Sequence, residues 1–201
     1  MEYQVRTPTA AELEAYVRQM SLGFHFDPGD DPARIEGRRP LYDYENNVVA
    51  VDGDAIVGTA GNFKQVMRVP GGDVGCAGLT QVTVRASHRR KGVLTSMMRK
   101  HLGMAHERGD ELAALWASES IIYGRFGYGL AADGVDLSIS TRHVALKDGT
   151  IRATCRYVDK ADVLAAWPAI WDAVRTDTAG MPSRSALWWE EMIAKDPDWR
   201  R

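Results

Sequence analysis

The sequence predicts a mixed α/β (α+β) fold, in which a mixed, mostly antiparallel sheet carries helices on both faces. Three strand patterns follow one another between residues 47 and 85, joined by the turn sequences Asp52-Gly53 and Gly71-Gly72-Asp73. A helical pattern and a further apolar strand pattern come next, which is the order of a crossover connection. A strand and a helix at the start of the chain complete the predicted architecture.

The predicted elements alternate along most of the chain. Strands are predicted at Tyr3–Arg6, Asn47–Val51, Ala55–Pro70, Val74–Arg85, Leu112–Ala117, Tyr128–Ile139 and Thr150–Tyr157. Helices are predicted at Ala10–Gly23, Lys91–Arg108, Glu119–Tyr123, Lys160–Arg175 and Pro182–Lys195. Thr9 and Glu12 have the capping-box spacing that starts the first of these helices. The segment Phe24–Pro40, rich in Asp, Gly and Pro, is predicted to be an irregular loop with at most one short helix.

The composition is that of an ordinary globular protein, with 45% hydrophobic and 26% charged residues among 201. A formal net charge of -2 supplies no global field for a polyanion, so neither nucleic acid nor a membrane is an expected partner. The chain has no uncharged apolar run of about 18 residues and no signal-like start, so we expect a cytoplasmic protein. Cys76 and Cys155 lack the spacing of a metal site, and no metal is expected.

The run Arg89-Arg90-Lys91-Gly92 lies between a strand and an amphipathic helix. The first amides of a helix have no partner within it, and the helix dipole and the three cations also favour an anion there. Gly92 lets the backbone approach such a ligand closely. The pattern therefore predicts a phosphate or pyrophosphate site, although the spacing of a Walker loop and that of a Rossmann fingerprint are both missing. A basic loop that is merely solvated is the alternative.

The same residues resemble a known family. The string from Arg89 to Leu94 resembles the pyrophosphate loop of the GCN5-related N-acetyltransferases (GNATs), Gln/Arg-x-x-Gly-x-Gly/Ala, except that Leu94 departs from its last position. The wider segment from Gly78 to Gly129 resembles the enhanced-intracellular-survival (Eis) family of acetyltransferases, in which Leu is frequent at that position. The resemblance implies a GNAT fold and acetyl-CoA as co-substrate.

The resemblance also implies roles for individual residues. Cofactor-binding positions of the family are matched by Val82, Val84, Arg89, Arg90, Gly92, Val93 and Ser118. Backbone groups of Val82 and Val84 would hold the acetyl carbonyl and the pantetheine arm, and Tyr123 would be the general acid. A packed core tyrosine is the alternative for Tyr123, and Tyr128, which is predicted to begin the next strand, is the competing candidate for the acid. His88, at the phosphate end, is not expected to be a base.

Further features of the family concern regions beyond this loop. The family's general base is associated with a carboxylate at the far C-terminus of a chain about twice as long, so this chain is expected to be an N-terminal portion or a truncated member. Residues 1–145 would form the GNAT domain, and residues 146–201 the start of a second GNAT-like domain or a helical extension. Family members form hexamers, which implies a homo-oligomer.

The expected activity is transfer of acetyl to a primary amine of a polycationic small molecule such as an aminoglycoside. Phe24, Phe26 and Asp27, in an acidic loop, are candidate substrate-binding residues because acidic side chains attract amines. A protein-lysine or polyamine acetyltransferase and a CoA-binding module without activity are the alternatives. Nucleic-acid binding through Arg89–Lys91 would require steeply salt-dependent affinity, which an acidic chain does not favour.

Overall fold

The computed structural model describes residues 3–27, 29, 31–140, 142, 154 and 156–193. Its centre is a five-stranded sheet whose strands follow one another in chain order. The strands are β1 (Gln4–Arg6), β2 (Val48–Asp52), β3 (Ala55–Val69), β4 (Gly72–Val84) and β5 (Leu112–Leu115). All neighbours are antiparallel except β4 and β5, which are parallel. The predicted mixed, mostly antiparallel sheet is confirmed.

The helices cover both faces of this sheet. They are α1 (Leu13–Gly23), α2 (Pro32–Glu36), α3 (Val93–Arg108), α4 (Lys160–Arg175) and α5 (Ala186–Trp188). Alternate residues of β2 point to opposite faces, so Val49 and Val51 pack in one core cluster with Tyr16 of α1. Val48 and Ala50 pack in a second cluster with residues of α3, including Met97. The predicted two-sided arrangement is therefore confirmed.

Local signals explain where α1 and α3 begin. Glu12 accepts a hydrogen bond from the Thr9 amide at 2.8 Å, as the capping box predicts, but Ala10–Glu12 form a 3₁₀ turn and α1 starts at Leu13. Glu12 also contacts Arg6 at 2.7 Å, and this hydrogen bond lowers the pKa of its carboxyl to about 2. α3 begins after Gly92, whose φ of 81° is left-handed.

Two predicted strands are not found in the described residues. Tyr128–Ile139 contains no strand, and its side chains Leu130, Val135 and Leu137 are more than 80% exposed. The alternation of apolar and polar residues is a local pattern, whereas a strand also requires a hydrogen-bonded neighbour. Most of Thr150–Tyr157 lies outside the described residues, and Thr154, Arg156 and Tyr157 are not in a strand.

The C-terminal helices differ from the prediction in one place. Lys160–Arg175 is helical as predicted, whereas the helix predicted at Pro182–Lys195 begins at Ala186 and continues as a π-helical turn, Trp189–Ile193. The segment before it is extended because it pairs with β3. The Ser183 amide donates to the Val66 carbonyl at 2.7 Å, and the Arg68 amide donates to the Met181 carbonyl at 3.0 Å.

The tryptophans of this region pack around an arginine. The Arg184 guanidinium lies 3.2 Å from the ring centre of Trp171 and 4.1 Å from that of Trp188, distances typical of cation–π contacts. The Trp171 indole N–H donates to the Pro182 carbonyl at 2.9 Å.

Within the described ranges, no helix combines the length and the apolar composition that a membrane span requires.

A buried histidine lies under α3. His101 is fully buried, and its Nε2 lies 3.1 Å from Oδ1 of Asn62. Burial, together with the charge of Arg108, lowers its pKa from 6.5 to about 4, against a smaller opposite effect of Asp110. The folded protein therefore holds His101 neutral at pH 7.

This lowered pKa predicts a loss of stability in acid. Between pH 6.5 and 4 the unfolded chain binds a proton at His101 that the folded chain does not, so the free energy of unfolding falls as the pH falls. Relative to His101→Gln, the wild type should lose up to about 3 kcal/mol between pH 7 and 4. Urea unfolding between pH 7 and 4 measures the free energy of unfolding of both proteins. An equal change of this free energy with pH in the two proteins would contradict the prediction.

Candidate active site

The candidate site is a groove where β4 and β5 separate. The two strands pair only from Cys76–Leu79 to Leu112–Leu115, whereas β4 continues to Val84. The opening has a volume of about 840 Å³. Its wall includes Gly23, Phe24, His25, Val82, Thr83, Val84, His88, Arg89, Arg90, Gly92, Val93, Leu94, Thr95, Ser118, Glu119, Ile122, Tyr123 and Arg125. All seven predicted cofactor-binding residues and Tyr123 lie on this one groove.

The basic turn forms one end of the groove. A 3₁₀ turn, Ala86–His88, leads from β4 to Arg89 and Arg90, and α3 starts at Val93. Arg90 and Gly92 both have a left-handed backbone conformation, with φ values of 60° and 81°. The first amides of α3 therefore lie at the groove beside two guanidinium groups, an arrangement that binds a pyrophosphate well.

His88 ties this turn to the neighbouring hairpin. Its Nε2 lies 3.0 Å from Oδ2 of Asp52 and its Nδ1 lies 2.9 Å from Oγ of Ser87, so both ring nitrogens have partners. These contacts give His88 a role in holding the loop. The sequence offered no signal for the pairing with Asp52, which is 36 residues away.

Tyr123 lies on the opposite wall, after β5. Its ring makes an edge contact with Tyr128, with ring centres 5.9 Å apart. Partial burial, together with the negative charge of Glu119, raises the pKa of its hydroxyl. Glu119 also lines the groove and is the one carboxylate among the described lining residues. The protonated Tyr123 phenol can donate a proton, and the neighbouring Glu119 carboxylate can attract a cation.

The three predicted substrate-binding residues are not equally placed. Phe24 lines the groove just beyond α1, whereas Phe26 and Asp27 are exposed and are not among its lining residues. The Asp27 carboxylate accepts a hydrogen bond from the Gly29 amide at 2.9 Å. The approach of α1 to the groove depends on Gly23, because a Cβ there would lie 2.4 Å from Cβ of Thr83.

The described residues contain no group of three or more His, Cys, Asp or Glu side chains that could hold a metal ion. Cys76 is buried within β4, and burial raises the pKa of its thiol, while Cys155 lies outside the described residues.

The two ends of α3 offer a matched test of the anion site. Gly92 (φ 81°) and Gly109 (φ 80°) have the same backbone conformation, so alanine at either should lower the free energy of unfolding by about 1 kcal/mol. Only at Gly92 would the added Cβ meet a side chain, 3.2 Å from the Tyr3 hydroxyl, and only Gly92 lies at the groove.

We therefore expect Gly92→Ala to weaken binding of coenzyme A, the ligand that the sequence resemblance implies, by about tenfold, and Gly109→Ala to leave it unchanged. Calorimetric titration measures the affinities, and thermal unfolding checks both variants. Equal affinities in the two variants would remove the basis for an anion site at Gly92.

Comparison with known proteins relates this groove to acetyltransferases. Residues 4–131 match the family described as Acetyltransferase (GNAT) domain. An uncharacterized N-acetyltransferase of Streptomyces avermitilis is 42% identical over 164 residues, which are 80% of this chain and 40% of that protein. The N-acetyltransferase Eis of Mycobacterium tuberculosis is 32% identical over 174 residues, which are 82% of this chain and 43% of Eis.

Among solved structures, Eis1 from Mycobacterium abscessus superimposes with a TM-score of 0.69 at 25% identity, over 94% of this chain and 46% of Eis1. The chain thus spans less than half the length of each of these relatives. Since the matching family covers well over half of the residues, the chain belongs to the GNAT acetyltransferase family and is related to its Eis members.

Proposed function

We propose that this chain carries the acetyl-CoA site of an N-acetyltransferase that transfers acetyl to a primary amine. The observation that supports this most strongly is the groove between β4 and β5, on which Val82, Arg89 and Tyr123 all lie. Backbone amides, paired cations and a hydroxyl are the groups that a thioester, a pyrophosphate and a departing thiolate require.

In the proposed reaction the neutral amine attacks the thioester carbonyl directly. A C–N bond forms, and the carbonyl oxygen becomes an oxyanion that backbone N–H groups of β4, Val82 first among them, would stabilise. The C–S bond then breaks, and the coenzyme A thiolate takes up the proton of the Tyr123 hydroxyl. The positively charged nitrogen releases one proton to water, and the Tyr123 phenolate takes a proton back from water, so the enzyme returns to its starting state. Tyr123 can supply this proton because the ordinary pKa of a phenol, near 10, leaves it protonated at neutral pH, and burial raises that pKa further.

The donor would lie along the groove in one direction. Arg89, Arg90 and the first amides of α3, from Val93, would hold the pyrophosphate, and Val84 and Ser118 would contact the pantetheine arm. This orientation leaves the acetyl group near Tyr123. The acceptor would then enter beside Phe24, where α1 reaches the groove.

We propose a polycationic small molecule, of the aminoglycoside kind, as acceptor. Glu119 supplies a negative charge on the groove, and Asp27 adds one in the exposed loop beyond Phe24 and Phe26. Polyamines and protein lysines share this chemistry and are the competing acceptors.

Several further features belong to the same proposal. These are a division into residues 1–145 and 146–201, assembly as a homo-oligomer and a cytoplasmic location. The alignments cover only 40% and 43% of two relatives, and the general base that the family resemblance implies is not assigned to a residue of this chain. A module that binds acetyl-CoA without transfer is the second candidate, favoured by this partial coverage.

Substitution of Tyr123 tests its proposed role as the general acid. Tyr123→Phe should lower kcat by about 100-fold, because the thiolate loses its proton donor, while the affinity for acetyl-CoA changes less than twofold. Release of coenzyme A, measured across a panel of aminoglycosides, polyamines and lysine peptides, gives the rates.

Tyr128→Phe is the matched control. The Tyr128 ring touches that of Tyr123, but its buried hydroxyl has no hydrogen-bond partner among the described residues. Its kcat should stay near the wild-type value, and a loss confined to Tyr128→Phe would transfer the acid role to Tyr128. Binding of acetyl-CoA without release of coenzyme A by the wild type would favour the inactive module.

Glu119 allows a test of the cationic acceptor. Glu119→Gln keeps the shape of the side chain but removes its charge, so KM for a polycationic amine should rise by roughly three- to tenfold. The KM for a monoamine should rise less, and that for acetyl-CoA should not change. An equal rise for all amines would argue against charge recognition at Glu119.

A further inference from the structure

The strand β4 contains a bulge beside the groove. Thr83 pairs with Thr59 and Thr80 pairs with Gly61, so two residues of β4, Gln81 and Val82, lie opposite one residue of β3. Gln81 has a left-handed φ of 52°, a conformation that costs a non-glycine residue about 1 kcal/mol or more. Surrounding contacts must therefore hold this backbone in place.

Those contacts come from β3 and α1. The Thr59 hydroxyl donates to the Gln81 carbonyl at 2.7 Å, and the Tyr16 hydroxyl donates to Oε1 of Gln81 at 2.8 Å. The approach is close, since a Cβ on Gly61 would lie 2.8 Å from Oε1 of Gln81. Thr59 is fully buried, and so is Tyr16 but for 2% of its surface.

The Gln81 carbonyl and the Val82 amide belong to one peptide unit. In a trans peptide the N–H points opposite to the C=O, so the Val82 N–H is directed away from Thr59. Val82 lines the groove on the side of α3. A hydrogen bond at the carbonyl thus acts on the peptide whose N–H belongs to Val82, a residue of the groove wall.

Thr59 is the last donor in a line of hydrogen bonds. Its one hydroxyl proton goes to Gln81, so at the 2.7 Å contact with Thr83 it is the Thr83 hydroxyl that donates. Nε2 of Gln19 donates to Thr83 at 3.5 Å, and Nε of Arg85 donates to Oε1 of Gln19 at 3.3 Å. The line begins at a guanidinium, and all its donors point towards the Gln81 carbonyl.

We propose that Thr59 is a positioning residue that orients and polarises the Gln81–Val82 peptide and so strengthens the Val82 N–H as a donor to the reacting carbonyl. This inference rests on the proposed acetyl transfer. Hydrogen bonds in a line polarise one another, and a donor already fixed in place requires no reorganisation when charge develops. Thr59 itself touches neither the thioester nor the amine.

Replacement of the hydroxyl tests this role. Thr59→Val removes the donor at nearly constant size and should lower kcat roughly tenfold with KM for acetyl-CoA within about twofold of the wild type. Thr59→Ser keeps the hydroxyl and should restore most of kcat. Thr80→Val makes the same exchange at the β4 residue just before the bulge and should leave kcat and KM unchanged.

A spectroscopic measurement separates polarisation from packing. In ¹H–¹⁵N spectra the Val82 amide proton should move upfield in Thr59→Val, and should keep its position in Thr59→Ser and Thr80→Val. If Thr59→Val does not fold, Gln19→Met removes an earlier donor of the line and should give a smaller shift in the same direction. An unmoved Val82 resonance, or equal losses of kcat in Thr59→Val and Thr59→Ser, would overturn the proposal.

The two proposals can fail separately. If the wild type binds acetyl-CoA but releases no coenzyme A with any amine, acetyl transfer by this chain is refuted in favour of the inactive module, while a shifted Val82 resonance would still support the hydrogen-bond line. If the wild type is active and Thr59→Val turns over normally, the proposed function stands and the role of Thr59 is refuted.

Discussion

The site depends on the limited pairing of β4 with β5. Four residue pairs join the two strands, and the bulge at Gln81 then redirects β4 while β3 continues to hold its other edge. A fully paired strand would have closed the groove and used its backbone groups within the sheet. The hydrogen bond between the Thr59 hydroxyl and the Gln81 carbonyl holds the bulge in place. Tyr123 and the basic turn line the same groove as Val82, the second residue of the bulge.

Much of this architecture could be predicted from local signals. Turn glycines mark the hairpins between β2, β3 and β4, and the apolar spacing of α3 and the capping residues of α1 mark those helices. The basic turn was recognisable because its charges and Gly92 are contiguous in the chain. The predicted strand Tyr128–Ile139 was wrong because it rested on alternation alone, and pairing is decided by residues distant in sequence.

The contacts that adjust the site were beyond such reasoning. Tyr16 and Gln81 are 65 residues apart, and neither stands in a pattern that suggests a partner. The same holds for His88 with Asp52 and for His101 with Asn62. Phe24 was identified from its place in an acidic, aromatic loop, but the same signal selected Phe26 and Asp27, which the fold leaves outside the groove wall. The composition of the loop pointed to all three residues, whereas only the packing of α1 distinguishes Phe24, which lines the groove, from the other two.

The segment Gly180–Ser183 affects how readily the sheet would pair with other molecules. Its residues bond to β3 at Val66 and Arg68, beyond the position where β3 pairs with Val48, the first residue of β2, and so occupy backbone groups that would otherwise form an open edge. Open edges recruit strands from other molecules. The tryptophans around Arg184 hold this short segment in place, so the aromatic cluster protects the edge indirectly. A version of this chain cut before Gly180 would keep the groove but present an aggregation-prone strand to its neighbours.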